Sequence, residues 1–63
     1  MTTKPVIDRT SIGWRVSVKF NGVLYSRFYH YKREAQEFLK EVEGAIRAYG
    51  EIFHPDMLHM YPE

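Results

Sequence analysis

Asn21-Gly22 constrains this chain more than any other feature, because of what stands on either side of it. Both central positions of a type I′ turn need positive φ, and Asn-Gly meets that need at little steric cost. Before the pair, Trp14, Val16, Val18 and Phe20 are apolar while Arg15, Ser17 and Lys19 are polar. This period of two marks a half-buried strand. A second strand is predicted over residues 23–30. A two-residue loop pairs Phe20 with Val23, Val18 with Tyr25, Val16 with Arg27 and Trp14 with Tyr29. Opposed residues share a face. One face therefore carries Trp14, Val16, Val18, Phe20, Val23, Tyr25 and Tyr29. The other carries Arg15, Ser17, Lys19, Leu24, Ser26, Phe28 and His30. A slip of one residue would exchange the faces of one strand, so the turn type decides the assignment.

After residue 31 the period changes. Ala35, Phe38, Leu39, Val42, Ile46 and Tyr49 follow the i, i+3, i+4, i+7 spacing of an amphipathic helix. Gly50 stands where a glycine ends such a helix. Val6, Ile7 and Asp8 suggest a short edge strand ahead of the hairpin, set off by the turn formers of residues 10–13. The predicted fold class is α+β: a two- or three-stranded antiparallel sheet packed on one C-terminal helix, ββ(β)α. The whole chain, 1–63, reads as a single domain. Residues 1–5 read as a disordered start, and residues 51–63 as a tail that either packs or binds a partner. That tail is too apolar for ordinary disorder, and residues 56–61 could make one helical turn after Pro55.

With 63 residues, the chain buries only about 60% of its unfolded surface, so nearly every large apolar group must serve the core. The absence of cysteine excludes disulfides, thiolate metal sites and a cysteine nucleophile. It also favours a cytoplasmic location. No apolar run approaches the ~20 residues of a membrane span, and the first residues lack a signal-peptide pattern. No membrane partner is expected. Nine Lys and Arg against eight Asp and Glu leave a net charge of +1. Any basic surface must therefore come from segregation of charge.

The text from Trp14 to Gly22, then Tyr29, then Lys32-Arg33-Glu34-Ala35 resembles the arm-type, AP2-like DNA-binding domains of phage-like tyrosine recombinases. The resemblance covers residues 6–46. It implies three strands before one helix, DNA contact from the sheet face away from the helix, and a phage or mobile-element setting. The implied contact residues are Arg15, Ser17, Lys19, Ser26, Phe28 and His30, with Leu24 on the same face. Leu24 and Phe28 depart from the basic second strand of that family. The recombinase catalytic domain is absent.

Two readings of function follow. The first is a small non-catalytic nucleic-acid-binding module. Arg15 and Lys19 would contact phosphate, and Phe28 or His30 would stack on bases. The plainer alternative for those cations is a solvated strand face that discourages edge aggregation. The second is a protein-interaction module, an inhibitor or adaptor, using Leu24 and Phe28 or the tail residues Phe53, Met57, Leu58, Met60 and Tyr61. The tail could instead fold back over Leu24 and Phe28, or the face could make a homodimer. No cofactor is implied. His30, His54 and His59 lack zinc-ligand spacing. Glu34, Glu37, Glu41 and Glu43 lie on the solvated helix face, and no catalytic motif stands out.

Overall fold

A computed structural model describes residues 4–63. Three strands, β1 (Val6–Thr10), β2 (Gly13–Phe20) and β3 (Val23–Tyr29), precede one helix, α1 (Lys32–Tyr49). Two short 3-10 turns follow, Gly50–Ile52 and Pro55–Leu58, and then a fourth strand, β4 (Tyr61–Pro62). The sheet is antiparallel in the order β1-β2-β3-β4. The class is α+β, but with four strands rather than two or three, and the helix is not the last element. Disorder over residues 1–5 is corrected at Pro5, which is buried. Residues 1–3 lie outside the described residues.

The central hairpin has the register that its turn dictates. Asn21 and Gly22 take φ of 50° and 81°, and Trp14 pairs with Tyr29 through to Phe20 with Val23. On the other side of β2, residues 11–12 form the turn and Thr10 pairs with Gly13. Gly13 is obligatory there. Its φ is +151°, and a Cβ on it would lie 2.2 Å from the Tyr29 carbonyl oxygen.

The helix crosses the inner face and buries Ala35, Phe38 and Val42 against Val16 and Val18. Tyr49, the last member of the predicted stripe, is exposed. The helix starts after Tyr31 without a side-chain cap, and Glu34 in the first turn complements its dipole. Gly50 ends it at positive φ, with its N–H bonded to the Ile46 carbonyl. Arg27, paired with Val16, also falls on the inner face. It is accommodated because its guanidinium lies 5.3 Å from the Tyr29 ring and 5.2 Å from the Phe38 ring, and it donates to the Leu58 carbonyl.

The tail belongs to the core. Phe53 and Met60 are fully buried. Phe53 meets Phe20 edge-on. The His54 ring packs on Phe20 and Tyr25, and its Nδ1 accepts the Asp56 N–H as the cap of the second 3-10 turn. His59, in the left-handed region, closes that turn. Met60 then anchors β4, where Tyr61 pairs with Ser26 and Pro62 with Tyr25. The Glu63 N–H adds a bond to the Leu24 carbonyl at 2.9 Å. A proline is tolerable in so short an edge strand because its missing donor would face away from the sheet.

Candidate nucleic-acid interface

The strand registers place Asp8 of β1, Arg15, Ser17 and Lys19 of β2, and Leu24, Ser26 and Phe28 of β3 on the face opposite the helix. His30 lies in the bend just after β3, and β4 adds Tyr61 at the edge, followed by Glu63. Five of the six residues proposed for nucleic-acid contact thus share one face by register, with His30 beside Phe28, but they are not equally available. Ser17 and Ser26 are buried at its centre, too short and too enclosed to reach a partner. Lys19, Phe28 and His30 are exposed. Phe28 and His30 border a shallow open recess together with Ile12 and Tyr29.

Arg15 is held by two carboxylates. Its Nε and Nη2 donate to the two oxygens of Asp8 at 3.3 and 2.8 Å, and Nη1 donates to Glu63 at 3.1 Å. Glu63 also accepts from the Ser26 hydroxyl at 3.0 Å. The Arg15 pKa is raised, first by the hydrogen bond and charge of Asp8 and then by Glu63, against a lowering by desolvation. Asp8 and Glu63 were not among the sequence-derived site residues. Asp8 was within reach, since a two-residue turn over residues 11–12 puts it opposite Arg15. Glu63 had no local signal, because only the folded tail brings it there.

The residues of the alternative partner surface are divided. Phe53 and Met60 are core and Leu58 packs against it, so none of these three forms an apolar surface. Met57 and Tyr61 are exposed. The tail does not cover Leu24 and Phe28, which remain 37% and 50% exposed.

Charge is strongly segregated along the chain. Residues 4–33 carry Lys4, Arg9, Arg15, Lys19, Arg27, Lys32 and Arg33 against the single acid Asp8. Residues 34–63 carry Lys40 and Arg47 against Glu34, Glu37, Glu41, Glu43, Glu51, Asp56 and Glu63. The strands and the helix start are basic; the body of the helix and its following turns are acidic. Among the described residues there is no grouping of three or more His, Cys, Asp or Glu suited to a metal, and no helix is long and apolar enough to cross a membrane. Compared with protein-family models, curated proteins and solved structures, the chain matches none.

Proposed function

We propose that this chain is a small non-catalytic nucleic-acid-binding module that engages its polymer through the sheet layer. The observation that carries this reading is the segregation of charge along the chain: residues 4–33, which build β1 to β3 and open the helix, hold seven cations against one acid. Such an arrangement orients the molecule toward a polyanion before contact. Of the six residues implied for contact, Lys19, Phe28 and His30 are exposed. In this reading Lys19 contacts phosphate and the two rings stack on bases. Arg15 is a positioned donor with much of its charge already answered. The resemblance to arm-type domains supports the same face, and with it a duplex DNA target and a phage or mobile-element setting.

The test is fluorescence anisotropy with duplex and single-stranded DNA of mixed sequence at low and high salt. The expected result is binding that weakens steeply with salt, because displaced counterions return to the polymer. Lys19→Gln with Phe28→Ser should weaken it further while leaving the melting profile intact. Binding indifferent to salt would defeat the proposal. Reversing the charge of Arg15 is a poor test, since it would set three carboxylates together and disturb folding.

One observation favours a second reading. Leu24, Phe28 and Tyr61 are exposed on a face where Asp8 and Glu63 balance Arg15 and Lys19. A protein partner of mixed polarity would suit that surface. If Phe28→Ser abolished capture of a protein partner while DNA binding was absent from the outset, this second reading would replace the first.

A further inference from the structure

Of the seven cations in residues 4–33, the strand registers put only Arg15 and Lys19 on the outer face. Arg9 alternates to the inner side, opposite Trp14. Lys32 opens the helix at the same end of the sheet. Both approach the Trp14 ring, the Arg9 guanidinium carbon at 6.0 Å and the Lys32 Nζ at 5.3 Å from its centroid. Both cations are exposed while Trp14 is half-buried. Among the described residues, neither Arg9 nor Lys32 has a carboxylate within ion-pair distance. Arg15, by contrast, has two. The indole attracts both cations without neutralising them, because a ring quadrupole attracts a cation but carries no net charge.

We infer that the Arg9–Trp14–Lys32 cluster is a backbone-phosphate contact site, separate from the outer face, at the end of the sheet away from the Asn21-Gly22 turn. The inference rests on the nucleic-acid reading and deepens it by naming where the phosphate charge is answered. Two full positive charges suit successive phosphates of one strand. Such contacts fix register and carry no sequence information. Exposed Tyr31 leads directly into Lys32 and stands at the same end.

Trp14 is the only tryptophan in the chain, so its emission reports on this site alone. The experiment titrates the full chain with mixed-sequence duplex DNA, following DNA anisotropy and Trp14 emission together across a series of salt concentrations. Arg9→Gln with Lys32→Gln, both at exposed positions, is compared with wild type. Arg9→Lys serves as the conservative control. A polyglutamate peptide is the non-nucleic polyanion.

The site predicts that Trp14 emission changes at the same DNA concentrations that raise the anisotropy. It also predicts that the double variant lowers the slope of log K against log salt by about 1.8, from about 0.9 per phosphate on duplex DNA. Arg9→Lys should retain the wild-type slope. Binding of DNA with silent Trp14 emission and an unchanged slope in the double variant would overturn the site and leave the outer-face reading standing. A Trp14 response to polyglutamate but not to DNA would also overturn it, assigning the cluster to an acidic protein. Absence of DNA binding by the wild type at low salt would remove the nucleic-acid reading and this site with it.

Discussion

The middle of the outer face and the end of the same sheet away from the Asn21-Gly22 turn are built from similar parts and differ in one respect. Each sets arginine or lysine beside an aromatic group. On the outer face, Arg15 spans Asp8 and Glu63, and its charge is more than answered. At the far end, Arg9 and Lys32 rest on Trp14, and the charges persist. A count of basic residues along a strand therefore does not locate usable charge. What matters is whether the fold delivers a carboxylate to each cation. Here that delivery depends on the tail, because Phe53 and Met60 anchor the segment that carries Glu63 to Arg15.

The largest expected effect comes from breaking that anchor. Phe53→Ala should destabilise the domain by about 3–5 kcal/mol, comparable with the whole stability a domain of this size commands. Urea unfolding of Met60→Ala, expected to lose about 2–5 kcal/mol, provides a milder version; losses below 1 kcal/mol in both would mean that the tail is not core. Gly13→Ala attacks the opposite end. Strain at positive φ costs about 1–3 kcal/mol, and the clash with the Tyr29 carbonyl adds to it, so a thermal melt should show a clear loss. An unchanged melting temperature would contradict the close approach of β2 to the end of β3.

Smaller effects sharpen the comparison itself. Asp8→Asn with Glu63→Gln should release Arg15 at little cost in stability, since the pairs are partly exposed. DNA affinity should rise, and the salt slope should steepen by about 0.9 as one more phosphate is answered. A variant that binds no better than wild type would show that Arg15 faces no phosphate. The smallest effect concerns Tyr29. Burial raises its hydroxyl above the ordinary value of 10.0, against a lowering by Arg27 and with further raising by Glu41 and Glu34. Because the neutral form is favoured in the fold, this contribution is fully present below pH 10 and is lost as pH rises through the folded-state value. Tyrosinate absorbance should reveal one late-ionising tyrosine, missing in Tyr29→Phe.

Local signals made the hairpin and the helix legible. Asn21-Gly22 set the register, and the spacing from Ala35 to Ile46 set the buried stripe. Arg27 was harder to place, because the alternation puts a cation on the inner face and only the rings of Tyr29 and Phe38 make that tolerable. The fourth strand was not legible. Tyr61 and Pro62 have no strand pattern of their own, and their pairing follows from where Met60 is buried. The same holds for the candidate site. Arg15, Lys19 and Phe28 could be read onto one face from the register, but the carboxylate from the tail that quiets Arg15 could not. Nor could the meeting of Arg9 and Lys32 on Trp14, which joins an edge strand to a helix start.

The most direct test of the sheet layer as the binding surface is a chemical-shift map of the nitrogen-15-labelled chain titrated with duplex DNA at low salt. The account predicts that the amides of Lys19, Phe28, His30, Trp14 and Lys32 move together, while those of Glu37, Glu41 and Arg47 further along the helix stay in place. Shifts confined to the helix, or no shifts at all, would contradict it.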